Sequence, residues 1–185
     1  MARRVTRRGA WALLALAFSL SAAQAFAEDV SLEYRVKAAY LYKVAPFVAW
    51  PASAFGGAGS PFIICVQGAD PFGAELDRAV AGQGVAGHPF LVRRIETVGP
   101  DSGCHILYAG GSRRQSIVDA LHAVRGTNVL TVTDGERPDA PRGIVHFVIS
   151  EGRVRFDIDT QAAHENGLEI SAKLLVLAHA VRSRR

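Results

Sequence analysis

Motifs for hydrolytic, metal and nucleotide chemistry are missing from this 185-residue chain. It has neither GxSxG nor SxxK, so a serine nucleophile has no motif behind it. His88, His105, His122, His164 and His179 are scattered, with no HExxH and no other zinc spacing. Gly82-Gln83-Gly84-Val85-Ala86-Gly87 satisfies GxGxxG letter for letter. The dinucleotide fingerprint, however, follows a strand and opens a helix, whereas this copy follows a helical stretch and precedes a strand. It reads as a glycine-rich loop. There is no internal repeat and no low-complexity tract. No catalytic set, metal or cofactor is therefore expected. Cysteine is scarce too, with only Cys65 and Cys104.

What is present begins with an export signal. Arg3, Arg4, Arg7 and Arg8 form a basic start, an apolar core runs from Ala10 to about Ala23, and Ala25-Phe26-Ala27 is a small-x-small cleavage site. That is the layout of a secretory signal peptide, with cleavage expected after Ala27 and, as second choice, after Ala25. The alternative is an uncleaved anchor, but the run falls short of the ~20 residues a spanning helix needs, and Ser19, Ser21 and Gln24 interrupt it. The paired arginines leave twin-arginine export open beside the general route. Residues 1–27 hold four arginines and no acids, so residues 28–185 carry 17 Lys+Arg against 17 Asp+Glu. The basic balance thus belongs to the signal, and nucleic-acid binding is not inferred from it. The remaining 158 residues suit one domain with one core. In an oxidising compartment a Cys65–Cys104 disulfide is the default, with two buried free thiols as the alternative. A bridge across 39 positions contributes roughly 4 kcal/mol on the chain-entropy estimate.

Val36, Ala39, Tyr40, Val44, Phe47 and Val48 recur at helical steps, which predicts a first helix from about Val30 to Ala49. Trp50-Pro51 ends it, and Pro46 imposes a kink or break near Ala45. Strands are predicted over Pro61–Gln67, His88–Ile95, Cys104–Ala109 and Asn128–Thr133. Helices fall between them, one capped by Asp70 and running to about Ala81, and one starting at Ser112 and closing at Gly126. This alternation implies α/β architecture with a mixed, mostly parallel sheet and flanking helices. The chain then closes with a β-hairpin and helix. Runs 144–149 and 153–159 flank Glu151-Gly152, a two-residue turn of the hairpin type. With that loop, Val145 faces Ile158, Phe147 faces Phe156 and Ile149 faces Val154 on one side. The other side pairs Ile144 with Asp159, His146 with Asp157, Val148 with Arg155 and Ser150 with Arg153. Thr160 caps a short helix stopped by Gly167, and Ser171 caps another predicted to reach about Arg182.

Two groups of side chains are candidates for binding. Gly111 and Ser112 with Arg113, in the turn Gly110–Arg114, follow a strand and open a helix, where free N–H groups favour an anion. Gln67, Asp70 and Asp134 are expected at the same sheet edge. His146 opposite Asp157 has the composition of an acid–base pair, but a solvated cross-strand pair is the simpler expectation. The aromatics Tyr34, Tyr40, Tyr42, Phe47 and Trp50 serve either a partner groove or, for most of them, the core.

These segments resemble the YfiR-like family of small exported bacterial proteins. The matching stretches are Lys37-Ala-Ala-Tyr-Leu-Tyr, Phe47-Val-Ala-Trp-Pro, Ile64-Cys-Val-Gln-Gly-Ala-Asp-Pro-Phe-Gly, Cys104-His-Ile-Leu-Tyr, Val129-Leu-Thr-Val-Thr-Asp-Gly, Gly143-Ile-Val-His-Phe, Val154-Arg-Phe-Asp-Ile-Asp and Gly167-Leu-Glu-Ile-Ser-Ala-Lys-Leu-Leu. Pro46 departs from the family pattern. The resemblance implies a periplasmic, non-enzymatic regulator that represses a membrane diguanylate cyclase of the YfiN type, lowering cyclic di-GMP and biofilm formation. It also implies a second partner, an outer-membrane lipoprotein of the YfiB type, and it leaves a homodimer open. The family's cysteine pair falls on Cys65 and Cys104; the second pair of some members is absent. The candidate contact surface is the first helix, with Tyr34, Tyr42 and Trp50, together with the hairpin face carrying Arg153 and Arg155. The competing reading is a periplasmic anion-binding domain that uses the Gly110–Arg114 turn and feeds a sensor or transporter.

Overall fold

The computed structural model describes residues 32–135 and 137–183, so the predicted signal peptide lies outside the described residues. Helix α1 covers residues 32–43. It ends earlier than the periodicity suggested. Pro46 sits at the start of a 3₁₀ turn, Ala45–Phe47, and Val48–Ala49 become a short strand, β1. The break near Ala45 follows from proline, whose missing N–H cannot continue the helical ladder.

The main body is one eight-stranded sheet. Strands β2 (Phe62–Gln67), β4 (His88–Ile95), β5 (Ile106–Ala109), β6 (Leu130–Asp134) and β7 (Val145–Ser150) run parallel in the order β4-β2-β5-β6-β7. Beyond β7 the sheet turns antiparallel with β8 (Arg153–Asp159), and β3 (Gly84–Val85) closes the other edge antiparallel to β4. The GxGxxG stretch therefore contains β3 and the turn of a small hairpin with β4. The β7–β8 register is Val145↔Ile158, Phe147↔Phe156 and Ile149↔Val154, with His146↔Asp157 between them, as the two-residue turn predicted.

Helices α2 (Ala74–Val80), α3 (Ile117–Ala123), α4 (Thr160–Glu165) and α5 (Ala172–Leu177) flank the sheet. Alternation along the strands splits the core in two. Phe62, Ile64, Ile106, Leu130 and Phe147 pack with α1, α2, α4 and α5 through Leu41, Leu76, Ala163 and Leu174. Cys65, Leu107 and Val129 face the other way, onto α3 through Ala120.

Four local expectations are corrected. Asp159, not Thr160, caps α4, its carboxylate accepting from Ala162 N–H at 2.9 Å. The second helix starts at Ala74, because the Asp70 carboxylate accepts from Phe72 and Gly73 N–H and closes a turn ahead of it. Ser116, not Ser112, caps α3; Ser112 Oγ instead accepts from Arg114 and Gln115 N–H within a preceding turn. The last helix stops at Leu177, and Ala180–Arg182 form β10, parallel to β8. Strand β9 (Glu169–Ile170), between α4 and α5, pairs with β1 and ties the end of α1 to the C-terminal segment.

Candidate functional site

Helix α1 buries Lys37, Ala38 and Leu41 and presents Leu32, Arg35, Val36 and Lys43 to solvent. Its aromatics anchor it. Tyr34 meets Phe72 edge-on at 5.8 Å, Tyr40 meets Phe156 at 5.4 Å, and Tyr42 meets Phe90 at 5.9 Å. Trp50 packs on Phe62 at 4.9 Å and its indole N–H donates to the Asn128 carbonyl at 3.1 Å. Tyr34, Tyr42 and Trp50 are thus half-buried packing groups, whereas Arg153 and Arg155 are exposed. Between the start of α1 and the hairpin turn lies a cavity of about 480 Å³ with Leu32, Val36, Ile149 and Val154 in its lining and Glu33 and Arg153 beside them. Val36 also borders a neighbouring cavity of about 420 Å³ with Ala39, Tyr40, Arg35 and Lys43. The outer side of α1 therefore carries an apolar strip flanked by cations.

An ion cluster under this strip pins the helix. The Lys37 ammonium, on a side chain only 2% exposed, donates to Glu33 and, at 2.7 Å, to Asp134 Oδ2 at the end of β6. Burial alone would lower its pKa, but the hydrogen bonds to Asp134 and Glu33 prevail and raise it. Burial raises the neighbouring Tyr34 and Tyr108 hydroxyls as well, with the Asp134 charge adding to the effect.

The parallel strands switch direction of winding at β2 and β5, the place where open α/β sheets bind ligands. Here that crevice is filled by the protein itself. Gln67, fully buried, donates to the Glu96 and Gln115 carbonyls at 3.1 Å each and accepts from Gly111 N–H at 3.0 Å. Ser112 N–H donates to the Gln115 carbonyl at 2.8 Å, and Ala69 N–H to the Gly111 carbonyl at 2.9 Å. At the Gly110–Arg114 turn, the groups facing solvent are the side chains of Arg113 and Arg114. Asp134 lies with Lys37, and Asp70 bonds Arg94 at 2.6 Å, so neither joins this turn.

Cys65 on β2 and Cys104 just before β5 form a disulfide with a Cα–Cα distance of 5.8 Å. Both cysteines are buried, and an Arg93 Nη lies 3.7 Å from each sulfur.

The His146–Asp157 expectation needs correction. Both residues are buried, and they do not bond one another. His146 Nε2 lies 3.0 Å from the Gly135 carbonyl and Nδ1 lies 2.8 Å from Thr133 Oγ1. Asp157 pairs with Arg142 at 2.8 Å and with His179 Nδ1 at 3.0 Å. Strand alternation correctly puts both on one face, but the Gly135 carbonyl, Arg142 and His179 reach over that face. Sequence reasoning missed Arg142 and its partners. Arg142 stands in an irregular Pro-containing segment, and His179 fell in a stretch read as helix.

These features define a disulfide-bonded α/β domain whose sheet is mostly parallel. No group of three or more His, Cys, Asp or Glu suited to a metal ion occurs among the described residues, and no described helix is long and apolar enough to cross a membrane. The profile of the YfiR/HmsC-like family matches residues 34–179, and the chain belongs to that family. A search of the curated proteins returns no match.

Proposed function

We propose that this chain is an exported, non-enzymatic regulator, delivered to the periplasm after cleavage behind Ala27. It represses a membrane diguanylate cyclase of the YfiN type through the cyclase's periplasmic sensor, lowering cyclic di-GMP and biofilm formation. The observation that carries this reading is membership of the YfiR/HmsC-like family across 34–179. The mechanism is a population shift: the regulator binds one state of the sensor better and so holds the cyclase in it. An outer-membrane lipoprotein of the YfiB type would relieve repression by sequestering the regulator.

The proposed contact is the outer side of α1 with the hairpin tip. The apolar lining by Leu32, Val36, Ile149 and Val154 supplies buriable area, Arg153 and Arg155 supply a charged rim, and the half-buried Tyr34, Tyr42 and Trp50 are further candidate contacts of the first-helix region. The experiment is a pull-down from membranes with the tagged protein, with cyclic di-GMP measured in cells lacking the gene. Capture of the cyclase and a rise in cyclic di-GMP on deletion are expected. Arg153→Glu with Arg155→Glu should abolish capture, as should Val36→Asp. Unchanged capture by these variants removes this surface, and unchanged cyclic di-GMP on deletion removes the regulatory role.

A further inference from the structure

We propose that the groove running past Arg142 binds a small carboxylate. It lies away from the α1 surface, between the end of α3, the 140–144 segment, the start of α4 and β10. Three adjoining cavities of about 190, 80 and 220 Å³ all have Arg142 in their lining. Arg125 borders the first two and Arg182 the last.

Arg142 is built into the fold. Its Nη1 donates to Asp157 at 2.8 Å, and that carboxylate is 9% exposed. A guanidinium held by one edge keeps the rest of its planar fork for a ligand and loses less freedom when it binds. The other two cations are hardly engaged. Arg182 approaches Asp157 only to 3.9 Å, beyond hydrogen-bonding distance, and Arg125 is exposed with no ion pair among the described residues. Of the acids along the groove, Asp157 is paired with Arg142, while Asp159 and Glu165 each hold one protein donor, Ala162 N–H at 2.9 Å and the Gln161 amide at 3.1 Å. The groove is therefore rich in free donors of the fork type that suits a carboxylate. Arg125 and Arg182 border different cavities with Arg142 common to all, so the groups of a di- or tricarboxylate can each meet a separate guanidinium fork, which one compact phosphate cannot do. Cavities below the size that holds drug-like molecules limit the ligand to a few carbons.

The test is calorimetric titration of the isolated exported chain with succinate, citrate and inorganic phosphate, alongside NMR of the arginine Nε–Hε signals. This measurement needs no cyclase, so its failure is separable from failure of the regulatory role. Expected are saturable succinate or citrate binding, shifts of the Arg125 and Arg142 signals, and weaker binding of phosphate. Arg125→Gln, at an exposed position, and Arg142→Lys, which keeps a cation for Asp157, should each weaken carboxylate binding by about tenfold. The proposal is overturned if neither carboxylate binds below about 10 mM, if Arg125→Gln binds like the wild type, or if phosphate binds as tightly as succinate.

Discussion

His146 accepts a hydrogen bond at Nδ1 from the Thr133 hydroxyl, 2.8 Å away, while Thr133 itself accepts from Gly143 N–H at the same distance. The assignment follows from the other ring nitrogen. Nε2 faces the Gly135 carbonyl, which can only accept, so Nε2 carries the proton and Nδ1 is bare. A second buried histidine repeats the arrangement: His105 Nε2 faces the Ala54 carbonyl at 3.0 Å and Nδ1 accepts from Ile63 N–H at 3.0 Å. Both imidazoles are thus held neutral, and burial lowers both pKa values, with the Arg142 charge also lowering His146.

The pH dependence follows in sign. In the unfolded chain each histidine takes up a proton near pH ~6.5, whereas the folded chain resists protonation. The unfolded state then binds more protons, so stability falls as the pH drops below about 6.5 and is unaffected by these groups above about 7.5. Asp77, held below the usual carboxylate range by its hydrogen bond from Arg94, acts only under pH ~4. Denaturant unfolding at intervals between pH 7.5 and 5 should show the decline, and a His105→Gln/His146→Gln variant should show less of it. Stability that holds constant or rises toward pH 5 would contradict the neutral assignment.

Lys37 gives a prediction about buried charge. Lys37→Ala removes the cation between Glu33 and Asp134 and leaves a cavity under α1, at a cost of about 3 kcal/mol. Asp134 keeps 17% and Glu33 37% of side-chain exposure, so part of the penalty is relieved by water. Lys37→Met restores the hydrocarbon volume and should recover roughly 1 kcal/mol. Equal losses for the two variants would mean that volume under the helix matters little, and a negligible loss for both would contradict the anchoring role.

The hairpin register was readable because one pairing alone puts Val145, Phe147, Phe156 and Ile158 on the same side, and a one-residue slip would bury arginines. Exposure was not readable from the same pattern. Whether His146 and Asp157 meet water depends on Gly135, Arg142 and β10, which lie elsewhere in the chain. The C-terminal strand was hidden for a related reason. Leu174–Val181 is apolar but for His179 and has no Gly or Pro, so local propensity favours continuing α5, but parallel pairing of Ala180–Arg182 with Asp157–Asp159 prevails. The disulfide was legible from the cysteine count and the predicted export signal. The filled crevice was not, because it turns on one side chain, Gln67, reaching three loops.

The disulfide can be tested directly. It closes a loop of 39 positions, and Cys65→Ala with Cys104→Ala should lower stability by about 4 kcal/mol, in proportion to the freedom regained by the unfolded chain. Denaturant midpoints of the wild type, with and without reductant, should bracket the variant. A variant as stable as the oxidised wild type would show that the bridge contributes nothing to folding.

Gly68 and Gly126 offer a paired test of the filled crevice. Both have φ of +74°, so alanine at either costs about 1 kcal/mol of backbone strain. Their surroundings differ. A Cβ on Gly126 would meet nothing within 4 Å, while one on Gly68 would collide with the carbonyl of Gly111. That carbonyl accepts from Ala69 N–H and cannot retreat without breaking the contact between the two loops. Gly68→Ala should therefore cost more than Gly126→Ala by at least ~1 kcal/mol and raise amide exchange at Ala69 and Gly111. Gly126→Ala should leave exchange at those amides unchanged. Equal costs for the two substitutions would mean that the loops are free to part, and that the crevice at the switch between β2 and β5 is open to a ligand after all.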